Sequence, residues 1–495
     1  MSSVRQTSVL LIKLDHQKTE EGERTMFEQN NEPVEMVTIP RAEYEALKAL
    51  IPLVETLTAR VAELEARLNK NSKNSGKPPS TDKKGTVKNS RISTGKASGG
   101  QPGHIGSTLK LNPAPDTIIK LTPKEVCECG GHIKALDGHS TRQQTDIEPV
   151  KLVTIEYHAH SGVCELCNKE HKASFPKGIN SPASYGDNIS AWITYLTGYQ
   201  LLPLKRTTEL VQDLLGIKLS QGTIVARAAE AYDKLETSEE LIKEEIINSP
   251  IVHVDETGMR VEGSNYWLHS AGTDSATVYG IHKKRGKEAM DDMAILPKFR
   301  GTLVHDHWRS YYGYNLCAHA ECNIHHLRTL IFLHEELGQT WAEEMIVLLL
   351  RIKKHVDLSK LFDTKQLEQA DIDYYQTLYR KILAQGLAVL ESTDSASQPI
   401  DSKRMLKRLS KFEQETLLFM LDFDVPFTNN LAERDIRMPK TKQKISGGFR
   451  NYNGAKHFSR VRGFISTSKK KGKNVLDGLI SVFGGNPGKF LYPDI

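Results

Sequence analysis

Apolar residues recur at Leu47, Leu50, Val54, Leu57, Val61, Leu64 and Leu68, with gaps alternating between three and four residues. That spacing is a heptad seam on a helix, and Glu55, Arg60, Glu63, Glu65 and Arg67 supply the charges around it. Pro52 interrupts the first turn, which places the firm helix over Leu53 to Leu68. The pattern predicts a short coiled coil that pairs two protomers; the alternative is an amphipathic helix folded onto its own domain. Self-association is preferred because the segment that follows offers nothing to pack against. From Asn69 to Gly106 the chain is built from Asn, Ser, Lys, Gly and Pro, including Asn71-Ser72-Lys73-Asn74-Ser75-Gly76-Lys77-Pro78-Pro79-Ser80 and Gln101-Pro102-Gly103-His104-Ile105-Gly106. Such a composition buries too little surface to order itself, so a flexible linker is expected. Residues 1 to about 40 show neither helical nor strand period, and Met26-Phe27-Glu28-Gln29 reads as an alternative start of translation.

Helical spacing returns at Ile189, Trp192, Ile193 and Leu196, which share one face. Thr207 to Leu215 then forms a short helix, Gly216 turns the chain, and Ser220 caps a second helix from Gln221 to Leu235. A helix, a glycine turn and a polar-started helix suit a helix-turn-helix, with Gln221, Thr223 and Arg227 placed for DNA contact. An ordinary helical subdomain fits the pattern equally well.

From Ile251 the period changes. Strands are predicted at Ile251 to Asp255, Tyr266 to Gly272 and Ala276 to Ile281, followed by a helix from about Gly286 to Leu296. A fourth strand covers Gly301 to His305, a helix follows Trp308, and a fifth strand lies near Asn315 to Ala320. This order resembles the ribonuclease H-like sheet, in which the first and fourth strands are neighbours. Asp255 and Asp306, 51 residues apart, would then meet. Glu433 follows 127 residues later, and the helical patterns at Trp341 to Val356, Gln366 to Leu390 and Lys403 to Leu421 read as an insertion that accounts for the distance. Asn429 and Asn430 open the helix carrying Glu433, with Arg437 one turn beyond on the same face. Asp435 lies about 200° around that helix and cannot face the same way.

Three hard carboxylates gathered in this manner suit two Mg²⁺ (or Mn²⁺) ions, about 3.5–4 Å apart, that activate an attacking oxygen and stabilise a leaving one. Asp255 rather than Glu256 is the expected ligand, because neighbouring strand residues point to opposite faces.

Charge and cysteines change the picture in two ways. The formal net charge of +5 is mild, but Lys and Arg concentrate between Asn71 and Gly100 and between Arg434 and Lys473, as a polyanion-binding chain would require. Of six cysteines, Cys127, Cys129, Cys164 and Cys167 form two close pairs flanking a strand-like segment from Val150 to His160. Four thiolates would hold a structural Zn²⁺ with no open position, with His132 or His171 as substitute ligands, although Cys127-x-Cys129 is one residue short of the usual knuckle. Cys317 and Cys322 read as core thiols. So few cysteines make no disulfide framework, and no apolar run reaches a membrane span, so a cytosolic protein is expected, nucleoid-associated when bound to DNA.

The ordered set of motifs resembles the large (TnpC-type) DDE transposase of a bacterial insertion-sequence family with an N-terminal leucine zipper. The likeness runs over about residues 40 to 490 and includes the linker, the knuckles, Leu219-Ser220-Gln221-Gly222-Thr223, Val254-Asp255-Glu256-Thr257 and Asn429-Asn430-Leu431-Ala432-Glu433-Arg434. It implies Asp255, Asp306 and Glu433 as the catalytic, metal-binding acids, and a Cys-x-x-His-x-x-Arg segment at Cys322, His325 and Arg328 near the scissile phosphate. It also implies DNA partners (terminal inverted repeats and a target), an oligomer and, for some relatives, small accessory proteins. Asp306 is followed by His307-Trp308 where a Gly-Tyr pair is common.

The expected architecture is a multidomain α+β chain. Its parts are an unstructured N-terminus (1–40), a coiled coil (41–68), a basic flexible linker (69–115) and a zinc-ribbon-like module (116–180). A helical helix-turn-helix-like region (181–245) leads to a ribonuclease H-like core (246–328 and 425–495) carrying a helical insertion (329–424). A domesticated DNA-binding regulator without chemistry is the second reading, disfavoured because all three acids are present. A junction-resolving or ribonuclease H-type nuclease is the third, with less use for a zipper and a basic linker.

Overall fold

The computed structural model describes residues 40–71, 73–75, 110–133, 140–146, 152–176, 178–179, 181–362, 364–392 and 399–494. The chain divides into two compact units, residues 1–59 and 60–495. The first helix, α1 (Arg41–Leu68), begins well before Leu53, and Pro52 lies inside it. Proline costs a helix the bond to the carbonyl four residues back; here that residue, Lys48, is exposed, so water can take the lost donor's place.

Within the second unit, the end of α1 has a packing partner that the sequence did not suggest. Ala66 is buried in the same cluster as Leu330, Leu333 and Trp341. Lys70 pairs with Asp401 and lies 4.3 Å from the Phe332 ring. The start of the expected flexible linker is a turn: Asn71 N–H donates to Asn74 Oδ1 at 2.7 Å and Lys73 N–H to Asn71 Oδ1 at 2.8 Å. Asparagine side chains that bond their own backbone order these residues despite their polarity. Residues 76–109 of that linker lie outside the described residues.

In the cysteine region β1 (Ser161–Val163) and β2 (Glu170–Lys172) form a short antiparallel hairpin. Residues 152–160 are not a strand, contrary to expectation; alternation alone makes no strand without a neighbour to accept its hydrogen bonds. Then come α2 (Asp187–Thr194), a π-helical turn over Tyr195–Tyr199, α3 (Leu204–Leu215), α4 (Gln221–Lys234) and α5 (Glu236–Ile247). Ile189, Ile193 and Leu196 meet in one apolar cluster with Val211 and Ile224, as their spacing predicts, while Trp192 is 37% exposed. Gly216 closes α3 in the left-handed conformation, φ 69°, and Ser220 Oγ caps α4 by accepting the Thr223 N–H at 3.0 Å.

The sheet contains β3 (Ile251–Val261), β4 (Ser264–Gly272), β5 (Thr277–His282), β6 (Thr302–His305) and β7 (Ala318–Glu321), in spatial order β5-β4-β3-β6-β7. The first three are antiparallel; β6 runs parallel to β3, and β7 parallel to β6. Asp255 therefore sits inside the first strand rather than at its end, because β3 continues into a tight hairpin at Glu262 (φ 53°) and Gly263 (φ 72°). Between β5 and β6 lies α6 (Lys287–Asp292), shorter than expected. After Trp308 there is only a 3₁₀ turn, Tyr311–Gly313, where a helix was expected; aromatic residues that read as a helical face instead anchor the turn on the core, with Tyr311 buried.

Five helices follow: α7 (Asn323–Glu335), α8 (Thr340–Ser359), α9 (Gln369–Ser392), α10 (Ile400–Lys411) and α11 (Glu413–Leu421). They share one core with Val304 and Ala320 of the sheet, built around Trp341, Tyr379 and Phe419. The chain returns through α12 (Asn430–Ser446), α13 (Tyr452–Lys470), α14 (Val475–Phe483) and α15 (Pro487–Leu491). A second core joins Val252, Val254, Ala271 and Val278 of the sheet to Leu235, Ile246, Phe464 and Leu479. Pro439 lies inside α12 and cannot donate to the Asp435 carbonyl; the Tyr279 hydroxyl does so instead, at 2.8 Å.

The β3–β6 pairing is sterically tight at its start. A Cβ on Gly301 would fall 2.3 Å from the Pro250 carbonyl oxygen, which accepts the Thr302 N–H at 2.8 Å. Gly301→Ala should therefore push β6 off β3 and cost about 1–3 kcal/mol. A urea-unfolding midpoint equal to that of the unmodified protein would show that the strands can absorb the methyl group.

Candidate active site

The parallel register places the two strand acids. His253 pairs with Val304, so Asp255 and Asp306, each two residues further along, stand at the same level of the sheet. His305 pairs with Glu321, so Cys322 continues that row by one strand. Glu433 comes to it through Asn429. The Asn429 side chain donates to the Val254 carbonyl and bonds the His253 ring at Nδ1, both at 2.8 Å, and its backbone N–H donates to Cys322 Sγ at 3.1 Å. Asn429 precedes α12 but makes no side-chain capping bond to it; its amide is spent on β3. Glu433 follows in the first turn of α12, where the helix dipole favours a carboxylate.

The structure brings the three carboxylates into electrostatic contact. Burial, then the charges of Glu256, Asp306 and Glu433, pushes the Asp255 carboxyl well above the ordinary carboxylate range. Asp255 Oδ1 accepts only the neighbouring Glu256 N–H, at 2.8 Å, and Asp306 Oδ1 the Trp308 N–H at 3.2 Å. Glu433 Oε1 is buried with no hydrogen-bond partner. Half-buried carboxylates that form no ion pair among the described residues suit a divalent ion, and these residues fit one.

Other acids nearby are neutralised from within. Glu256 is held by Arg285 and by the Tyr311 hydroxyl, and Arg285 lies between Trp267 and Trp308, 4.8 and 4.4 Å from their rings. Asp435 binds Lys470 Nζ at 2.7 Å and the Thr277 hydroxyl at 3.1 Å.

Histidines crowd the ends of β6 and β7. Burial pushes His305 down to about 3 and His307 to about 2, so both are neutral. His307 adopts φ 66°, a left-handed backbone that suits glycine, and this accounts for the Gly common at that position in the family the motifs resemble. His325, also lowered by burial against the opposing pull of Asp306 and Glu433, has a buried and unpartnered Nδ1. One ligand atom each of Cys322, His325 and Glu433 lie within 4.8 Å of one another, the one such set of three found among the described residues. Cys322 is fully buried, as a core thiol would be. Arg328 lies on α7 one turn after His325, and Arg437 is exposed on α12.

The DNA-contact candidates separate. Thr223 is engaged in the Ser220 cap, and Arg227 pairs with Glu230 at 2.6 Å. Gln221 lines a cleft of about 700 Å³ between α3–α4 and α12–α13. Sequence reasoning missed that cleft: Lys205, Lys442, Arg450 and His457 line it, and no described carboxylate does. Lys442 and Arg450 have no ion-pair partner among the described residues, and burial lowers the Lys442 ammonium.

In the cysteine region each pair closes a tight turn. Gly131 backbone and Cys127 lower the Cys129 thiol, and the Cys167 and Leu166 backbone, with the Cys167 side chain, lower Cys164. The two pairs are not gathered into one site among the described residues, and neither His132 nor His171 joins them.

A mixed α+β protein with an acid-rich sheet end and a carboxylate-free basic cleft belongs to the nucleic-acid-processing class. Residues 182–457, more than half of the chain, match the family model described as Transposase IS66 family, and the chain belongs to that family of insertion-sequence transposases. Residues 31–110 match a family of unknown function (DUF6444). Over 72 residues the chain is 36% identical to the uncharacterized protein y4jO of Sinorhizobium fredii (strain NBRC 101917 / NGR234), a match covering 14% of this chain and 22% of that protein. No described helix is long and apolar enough to cross a membrane.

Asn429→Ala removes two buried hydrogen bonds and leaves the Val254 carbonyl and the His253 ring unpaired. The expected loss is about 2–5 kcal/mol of stability. An unchanged unfolding free energy would show that water or a neighbour replaces the amide.

Proposed function

We propose that this transposase uses DDE chemistry: Asp255, Asp306 and Glu433 hold Mg²⁺ or Mn²⁺, and the site cleaves DNA at the element's ends and joins the 3′-OH to a target. The observation carrying this reading is the register that sets Asp255 beside Asp306, together with Glu433 delivered to them by Asn429. The strand order and directions, three antiparallel strands followed by two parallel ones, support a ribonuclease H-like core into which α7–α11 are inserted. Bound metal ions would supply Lewis acidity and lower the pKa of the attacking water or 3′-OH.

The chain's own residues do the remaining work. Asp255 and Asp306 are held by sheet backbone, and Glu433 by a helix start bonded to that sheet, so the ligand geometry is rigid. The neutral imidazole of His325 faces the same carboxylates and can orient a phosphate oxygen, with Arg328 supplying positive charge. Glu256 acts through Arg285 and Tyr311 to brace the segment carrying Asp306, a positioning role.

The carboxylate-free cleft is the part of the reading that concerns substrate. Lys205, Lys442 and Arg450 would follow a DNA backbone past Gln221 toward α12, which carries Arg437, Lys440 and Glu433. Leu47, Leu50, Val54, Leu57, Val61 and Leu64 are each 45–58% exposed, an apolar stripe that supports pairing of two copies through α1. The domain division given above is carried forward on the same basis.

Asp255→Asn, Asp306→Asn and Glu433→Gln should each lower strand transfer by more than about a hundredfold while sparing binding to the element's ends, since even outer-shell changes at metal sites cost about 10–100-fold. Cleavage retained in any of the three would remove that residue from the site. Lys442→Ala and Arg450→Ala should weaken binding across all DNA sequences and each reduce the slope of log K against log salt by about one. An unchanged slope would place the DNA elsewhere.

A further inference from the structure

We propose that Cys322, His325 and Glu433 form a second metal site, for a thiolate-accepting divalent ion of the Zn²⁺ class, which adjoins the acid pair Asp255 and Asp306 and shares Glu433 with it. Three different donor atoms, one sulfur, one nitrogen and one oxygen, lie within 4.8 Å of one another. Two of these groups have buried atoms with no hydrogen-bond partner, His325 Nδ1 and Glu433 Oε1. Other buried atoms also lack partners, but only here does a third donor, the Cys322 sulfur, lie within reach of two such groups among the described residues.

The placement follows from the fold. Cys322 precedes α7 and His325 is three residues on, so both project from one turn. Glu433 enters from the first turn of α12, and Asn429 joins the two helix starts through its N–H bond to Cys322 Sγ at 3.1 Å. An amide donating to sulfur stabilises negative charge on it, as in a metal thiolate.

The donor set selects the ion. Mg²⁺ and Mn²⁺ prefer all-oxygen surroundings and do not compete for a thiolate, whereas Zn²⁺ accepts sulfur, imidazole and carboxylate together at about 2.0–2.3 Å. Three protein ligands leave one coordination position open, the pattern of reactive rather than structural zinc. Without metal, burial pushes the Cys322 thiol up to about 11. Binding therefore breaks the S–H bond, forms an S–metal bond and releases one proton to solvent.

Binding of the ion stands on these three residues alone; only its consequence for DNA chemistry rests on the function proposed above. The test is an anaerobic titration of the full-length chain with Co²⁺, a spectroscopic substitute for Zn²⁺, read as the difference between the unmodified protein and Cys322→Ser. That subtraction removes any signal from Cys127, Cys129, Cys164 and Cys167. The expected result is one thiolate-to-cobalt absorption per chain that Zn²⁺ displaces and excess Mg²⁺ does not. His325→Gln, which keeps the thiol, should weaken Co²⁺ binding at least about tenfold, and this holds the test open if Cys322→Ser fails to fold. Asp255→Asn should keep the band while losing strand transfer, so the two readings fail separately. Identical spectra with and without Cys322, or full affinity in His325→Gln, would overturn the proposal.

Discussion

The junction at Asn429 is the constraint on which the site depends. Its side chain ties the helix start to Val254, one residue before Asp255, and its N–H ties the same point to Cys322. A second bond, from the Asn323 N–H to the Phe427 carbonyl at 3.1 Å, holds the two returning segments together. Five helices, α7–α11, separate Asp306 from Glu433 along the chain, yet they have little freedom to set where Glu433 lies. These helices share an apolar core with Val304 and Ala320 of the sheet, and the position of Glu433 is fixed where the chain returns to that sheet.

Charge sets this end of the sheet apart from its surroundings. Arg285 and Tyr311 engage Glu256, Lys470 engages Asp435, and Arg460 engages Glu239, each within the fold. Asp255, Asp306 and Glu433 form no ion pair among the described residues, Lys440 and Arg408 acting on Asp255 and Asp306 only through space, and burial with the charges of Glu256, Asp306 and Glu433 raises Asp255. That imbalance costs stability in the isolated chain, and bound cations would relieve it. The neutral histidines alongside supply ring nitrogens without adding positive charge that would compete with those cations.

Local patterns were legible where backbone chemistry acts locally. Gly216 and Ser220 mark the turn and cap between α3 and α4 because a left-handed residue and a hydroxyl acceptor have few other uses at those positions. The strand neighbours carrying Asp255 and Asp306 were likewise readable from the order of apolar runs. The helix expected after Trp308 and the strand expected before His160 were misread, because helical or alternating spacing in a short stretch does not say what the side chains will meet. Pro52 misled in the opposite direction: an exposed helix tolerates it. Asn429 read as a cap because its partners, Val254 and His253, lie on an element distant in sequence.

The sequence by itself determined the class of elements and the family, since these depend on residue type and order. Only the tertiary structure decided that Asp255 lies inside a long strand rather than at its end, and that Glu433 leans toward Cys322 and His325. It also decided that the end of α1 packs on the insertion and that Lys442 and Arg450 line a cleft free of carboxylates. The reason is common to all four. Each depends on which surfaces meet across long stretches of chain, and a residue's own neighbours in sequence carry no information about that meeting.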